Sequence, residues 1–509
     1  MKKPLSLLTI AVLATMAGGV NAYTLTTGTD VVEDDFSYLG TETEVFGILV
    51  SGDATSASFT GSTIDVSTTY DSDLKWSYAA VANGDAGYHY HPVLNLGGTN
   101  TQSITLRAEG PYAVGLAAVD GGMVHVQAKD LNIYVTAETA LASDGDAAVY
   151  GILAQKSTTN SAPDASHLVI DAENTYVTVD YTGELTDKNS VAAIGALSEG
   201  KLTITGNLYA SGPDVLATRG NAVVHINENN DRTVQLNGNI DFDYDGQTSG
   251  TGIDADVLIN LSGSNSYWNG SVYKSWQPTN PDSDKLDVSG FQLGLSDGAQ
   301  WTPAVVDSVN EGTHGQEQIA VNKLAFNDGI INLVNVGHTV EVESMTGTGG
   351  TINVAAERSQ DGTFTTATLS VDEIVSDAGG TTSLSMNYTG ITADDLSDPA
   401  ADLAELGKKS LTLGQAQGVE QVRTVAEGDI RGSVTHGTVT GTTTAANVKL
   451  ADYNSLNAMS LVQWRNEINH LTKRLGDIRA AEGSIGAWAR VYGGESQWGS
   501  GNEVEMDHT

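Results

Sequence analysis

Met123-Val124-His125-Val126-Gln127-Ala128-Lys129-Asp130-Leu131-Asn132-Ile133-Tyr134-Val135 places Val124, Val126 and Ala128 at every second position, then does the same with Leu131, Ile133 and Val135. In an extended strand, successive side chains point to opposite faces, so each set lines one face while its polar neighbours line the other. A helix would need its apolar residues three or four apart. The stretch therefore reads as β-strand, one side against a core and the other in water.

The same alternation recurs outward in both directions. Leu168 and Ile170, Val177 and Val179, Leu202 and Ile204, Val224 and Ile226, Val234 and Leu236 repeat it, as do Ile240, Phe242 and Tyr244. Val257, Ile259 and Leu261, Leu293 and Leu295, and Val340 and Val342 continue it. Turn dipeptides such as Asn237-Gly238, Asp245-Gly246, Asp297-Gly298 and Asp328-Gly329 fall between these runs, where positive φ or a local side-chain hydrogen bond is useful. Strands this short gain stability when each coil stacks on the next and the inward side chains form a continuous core. The expected architecture is all-β, a right-handed parallel β-helix. Coils of roughly 20 to 25 residues, each adding about 4.8 Å, would make a rod on the order of 80 to 100 Å long. No copy of about 100 residues recurs, as tandem β-sandwich modules would require.

Composition agrees. The 509 residues include 57 Gly, 9 Pro and no Cys, with 40% apolar and 17% charged side chains, a balance that supports a sizeable core and not a disordered chain. Without cysteine there are no disulfides, zinc–thiolate sites or cysteine nucleophiles, which suits passage through an oxidising compartment. Sixty-three acidic against 24 basic residues give a net charge of −39, which opposes binding to nucleic acid or to an anionic membrane face.

The two ends carry export signals. Met1-Lys2-Lys3 precedes an uncharged apolar run from Leu5 to Ala17, and Val20-Asn21-Ala22 puts small residues at the −3 and −1 positions of a cleavage site. This is the pattern of a signal peptide over residues 1–22. Near the other end, Leu461, Trp464, Ile468, Leu471, Leu475 and Ile478 follow a three-four spacing, the apolar stripe of an amphipathic helix. Asn466-Glu467-Ile468-Asn469-His470-Leu471-Thr472-Lys473-Arg474-Leu475-Gly476-Asp477-Ile478-Arg479, followed by Gly486-Ala487-Trp488-Ala489-Arg490-Val491-Tyr492-Gly493-Gly494, resembles the linker helix and first barrel strand of type V autotransporters. Gly263-Ser264-Asn265-Ser266-Tyr267-Trp268-Asn269-Gly270 and Leu295-Ser296-Asp297-Gly298-Ala299-Gln300-Trp301 look like the pertactin-like passengers of that family. Met345-Thr346-Gly347-Thr348-Gly349-Gly350-Thr351-Ile352-Asn353-Val354 resembles the start of an autochaperone region.

The resemblance implies a β-helical passenger over 23–320, an autochaperone-like region over 321–446, a linker helix over 447–483 and the start of a barrel over 484–509. It implies as partners an outer-membrane barrel with its assembly machinery and a host or bacterial surface ligand, self-association included. Some family members cut the linker between adjacent asparagines; here His470 follows Asn469, a departure from that pattern. Even an eight-stranded barrel needs roughly 9 to 11 residues per strand, so residues 484–509 would supply about two strands. The expected location is the outer membrane or cell surface where a barrel is supplied, and the periplasm otherwise.

Three candidate sites stand against plain structural readings. Asp241-Phe242-Asp243-Tyr244-Asp245-Gly246 opens like a calcium loop, with alternate carboxylates before a turn glycine, but its twelfth position is Gly252 and not Glu. Alternation alone would put Asp241, Asp243 and Asp245 on the wet face of a strand. His89 and His91 would share one side of a strand, yet Pro92 ends it and no third metal ligand is apparent. Gly294-Leu295-Ser296-Asp297-Gly298 matches G-x-S-x-G, but no helix pattern follows, as a nucleophile elbow requires. No catalytic residue and no cofactor is expected. The reading is a non-enzymatic adhesin-like or aggregation protein, with a periplasmic remnant and a carbohydrate-active enzyme as its rivals.

Overall fold

The computed structural model describes residues 22–41, 46–69, 77–84, 91–137, 148–156, 165–182, 190–243, 252–276, 287–306, 310–311, 314–375, 382–391, 395–396, 399–417, 419–426, 431–435, 442–444, 494–498 and 504–508. Of these, 74% lie in strands and 3% in helix. All of the expected signal peptide except Ala22, and the whole of the expected linker helix, fall outside the described residues.

The strands form one long mixed sheet in which parallel pairs predominate. Three ladders run through it. The second is continuous from Val32 through Phe59, Leu96, Val126, Ile170, Ile204, Ile226, Ile259, Leu293, Leu324, Met345 and Ile374 to Ala416, each paired in register with the next. From Phe59 to Ile374 every one of these side chains is buried. The third ladder runs in register from Tyr38 and Val66 through Leu106, Ile133, Val177 and Ala210 to Leu236, Trp268 and Trp301. Ile331, Ile352 and Met386 extend it. The first links Ile48, Ala80, Leu116, Ile152, Ile194, Leu216, Ile240 and Val272. Single strands often serve two ladders: Met123–Ala137 pairs with Val93–Gly97 through its first half and with Ser103–Glu109 through its second.

Two dimensional expectations are corrected. Partners on neighbouring rungs lie between 21 and 44 residues apart, not 20 to 25, because segments of very different length connect the ladders. Thirteen rungs at ~4.8 Å each make the second ladder roughly 55–60 Å long, shorter than expected. Asn237-Gly238 is also not a turn between strands. Val234–Asp243 runs through it, pairing with Tyr267–Asn269 on one side of the dipeptide and with Val272–Trp276 on the other. Gly238 takes φ 134° and a Cβ there would lie 2.4 Å from the Gly212 carbonyl oxygen, so it forms a corner that only glycine fits. Asp328-Gly329 likewise lies inside Val321–Leu333, while Asp297-Gly298 is a turn between strands, with φ 55° and 82°.

Among the described residues the body also contains a helix, Pro399–Ser410, which the alternation did not foretell. Pro399 opens it, as suits a first helical position, Leu406 is buried, and Lys409 Nζ donates to the Phe364 carbonyl at 2.7 Å. Antiparallel pairs occur at the margins. His314–Gln318 pairs with Val272–Trp276, where the largely buried Lys274 meets Glu317 at 3.3 Å. Gly494–Trp498 and Val504–His508 form a separate two-stranded hairpin.

The ladders pack closely where small residues permit. Gly47, Gly115 and Gly151 on the first ladder face Val66, Ile133 and Val177 on the third; a Cβ at each glycine would come within 2.3 Å of its partner's methyl carbon. Further along, Trp268 and Trp301 fill the core as a parallel stack, 5.3 Å between centroids, and their indole N–H groups donate to the Gly238 and Gly270 carbonyls at 2.9 and 3.0 Å. The glycine contact yields a test. Gly151→Ala is expected to cost about 1–3 kcal/mol by overpacking, and Val177→Ala in the same chain should recover part of that loss. Urea unfolding of the two single variants and the double variant measures the coupling; additive losses would mean that the two ladders do not press on each other there.

Candidate functional site

Among the residues singled out in the sequence, Asp241 lies on the outward side of Val234–Asp243, half-exposed, while its neighbour Phe242 is fully buried. The Ser275 hydroxyl lies 2.8 and 2.9 Å from its two carboxylate oxygens. Asp243 ends the strand, and Asp245 lies outside the described residues. The strand alternation read for Asp241 and Phe242 is thus present, and no cluster of three metal-ligating side chains occurs among the described residues. His91 places Nδ1 3.1 Å from the Gly121 carbonyl oxygen; His89 is outside the described residues. Ser296 is buried at the end of Asp287–Ser296, its hydroxyl within 3.5 Å of Asn230, Ser262 and the Leu261 carbonyl. The strand Gln300–Thr302 follows it, not a helix. Its surroundings are those of a rung-to-rung bridge and not of a nucleophile elbow.

Sequence reasoning passed over Asp214. The residue is half-buried, but its carboxyl is enclosed, with the Tyr273 hydroxyl 3.0 Å from both oxygens. Desolvation raises its pKa to about 7, against a lowering by the Tyr273 hydrogen bond. The only sequence signal is a Pro213-Asp214 pair interrupting an apolar strand.

A cleft of about 700 Å³ lies at the corner between the second and third ladders. Lys129, Asp171, Glu173, Thr205, Asn229 and Arg232 stand around it. Thr205 donates to Asp171 at 2.8 Å and Arg232 meets Asp231 at 3.4 Å. A polar rail marks its border with the third ladder: Asn174 donates to Asp130 at 2.9 Å, Asn207 to Asn174 at 3.0 Å, and the Thr233 backbone N–H to Asn207 at 3.0 Å.

Beyond the rail, the outward side of the third ladder carries Asn132, Tyr176, Tyr209, Gln235, Tyr267 and Gln300 in one register column. Tyr176 and Tyr209 stack at 4.8 Å. The Tyr176 phenol is held above its ordinary range by burial first, then by Tyr209 and Asp130, so it remains a hydrogen-bond donor at neutral pH. The parallel column holds amide chains: Asn269 donates to Asn237 at 2.9 Å, Asn353 to Asn332 at 2.7 Å and Asn387 to Asn353 at 3.0 Å.

No protein-family model matches the chain, and no curated protein matches it in sequence.

The Asp214 environment predicts a pH dependence. With a native pKa of about 7 against 3.8 for the free side chain, the native state holds a proton that the unfolded chain releases between these values. Stability should therefore fall as pH rises through that window, with the full cost present above it. Asp214→Asn is expected to raise the unfolding free energy obtained from urea titration at pH 8, by an amount on the order of 1–3 kcal/mol, and to leave it nearly unchanged at pH 4. An equal shift at both pH values would mean that the carboxyl is not held protonated.

Proposed function

We propose that the chain is the passenger of a type V autotransporter, its ladders wound as a right-handed parallel β-helix, and that it acts at the cell surface as a non-enzymatic adhesin-like or aggregation protein. The observation that carries this reading is the unbroken register of the second ladder, thirteen rungs of parallel strands from Val32 to Ala416. The chain visits first, second and third ladder in turn: Phe46–Phe59 serves the first and second, Thr63–Thr69 the third, and Ser77–Asn83 returns to the first; parallel crossovers of this kind are right-handed in nearly all proteins. Such a stack offers long, regular faces for repeated weak contacts. The export half of the proposal rests on the resemblance of residues 466–479 and 486–494 to the family's linker and first barrel strand.

A second reading, a carbohydrate-active enzyme, is favoured by Asp171 and Glu173 at one cleft, since paired carboxylates are the usual acid and base of glycoside hydrolysis. Release of new reducing ends from a polysaccharide, lost in Glu173→Gln, would select it.

Proteolysis of intact cells producing the full locus, followed with an antibody to residues 23–320, tests display. Loss of signal without permeabilisation is the expected result. Protection until the outer membrane is opened would overturn display and leave a periplasmic remnant.

A further inference from the structure

Across nine consecutive rungs, from Met123–Ala137 to Thr382–Thr389, the outward positions in the two central columns of the third ladder carry no charge. They are tyrosines, amides and hydroxyls, with Ile330 the one apolar residue. The second ladder obeys the same register and does place charges outward: Lys201, Asp256, Lys323 and Glu373 are examples. Stacking therefore does not by itself forbid charge on an outward face. In a chain with 17% charged residues and a net charge of −39, a neutral strip of this length selects for a neutral ligand.

The strip begins where the cleft ends. Tyr176 follows Glu173 by three residues and Gln235 follows Arg232 by three, with the Asp130–Asn174–Asn207 rail between. Cleft and strip are therefore one continuous surface over four rungs. Its backbone is already paired on both sides, as at His167–Tyr181 between Met123–Ala137 and Asn207–Arg219. A peptide cannot be added there as a further strand, and any ligand must be read by side chains. Nucleic acid is disfavoured by the acidic balance of the chain. Phenol hydroxyls, amides and the carboxylates of the cleft are donors and acceptors suited to a ligand rich in hydroxyls. Repetition at ~4.8 Å per rung, close to the length of one sugar ring, suits a polymer of them.

We infer that this surface binds a neutral polysaccharide, its chain seated in the cleft among Lys129, Asp171, Glu173 and Arg232 and continuing over Tyr176 and Tyr209. The inference names a ligand class for the binding role proposed above and does not depend on display. The test is affinity electrophoresis of the purified full chain in native gels containing β-1,4-glucan, β-1,3-glucan or mannan, with polygalacturonate as the anionic comparison. Retardation by at least one neutral polymer and not by polygalacturonate is expected. Tyr176→Ala/Tyr209→Ala and Asp171→Ala should each weaken it at least tenfold. Thr178→Asp, which sets a charge on an exposed position of the strip, should do the same in a chain whose urea unfolding matches the parent. No retardation in any neutral gel, retardation by polygalacturonate alone, or undiminished binding by the folded variants would overturn the inference. So would a concentration-dependent dimer in sedimentation velocity that these variants dissociate, which would make the strip an interface between copies.

Discussion

Everything in this molecule depends on strands pairing in parallel register with strands 21 to 44 residues away. That pairing satisfies the backbone and places each inward side chain against its counterpart on the next rung, so the core extends as a column. No rung could bury its apolar face alone. A one-residue slip would turn the whole set outward, and the column Phe59, Leu96, Val126, Ile170, Ile204 and Ile226 leaves no apolar gap through which a slip could be accommodated. Register shifts occur instead at corners, as between Ser211 and Leu216 and between Ala325 and Gly329, where the chain passes from one ladder to another.

The same constraint sets the width of the core. Large residues on one ladder require small ones opposite, and the Gly47, Gly115 and Gly151 positions let Val66, Ile133 and Val177 approach. Later rungs solve the problem differently. From Phe242 and Phe291 to Trp268 and Trp301, aromatic rings fill the interior, and each indole N–H finds a corner carbonyl. An indole buried without that partner would lose more than it gains from packing.

Alternation made the second and third ladders legible, because each has one wet face: Val124, Val126, Leu131 and Ile133 are buried as expected. The first ladder was legible only in part, as at Ile240 and Phe242. Ala113–Val119 and Ala148–Gln155 are buried on both sides, with Val81, Val114, Ala117, Tyr150 and Leu153 forming a second apolar cluster, so their sequence reads as an unbroken apolar run without a period. The helix Pro399–Ser410 was hidden by its shortness among strands. The candidate site was the least legible part. Lys129, Asp171 and Arg232 come together only through the irregular lengths of the intervening coils, a quantity that no local pattern records, whereas the Asp241 and Ser296 motifs were visible as text and proved to be strand positions.

Charge placement links stability to the outer faces. In a parallel stack, outward residues of one column stand about 4.8 Å apart, so a column of like charges would repel along its length. A chain of −39 must therefore interrupt its acidic columns or move them to corners. Asp65 is answered by Arg107 on the next rung at 2.7 Å, and Lys156 by Glu199 at 2.8 Å. The later rungs of the third ladder take the other route, chaining amides so that each asparagine is donor to one neighbour and acceptor from the next, as in Asn387, Asn353 and Asn332. Such a chain leaves part of each amide's hydrogen-bonding capacity facing outward. The arrangement that removes repulsion from the stack is therefore also the one that presents an uncharged, hydrogen-bonding face.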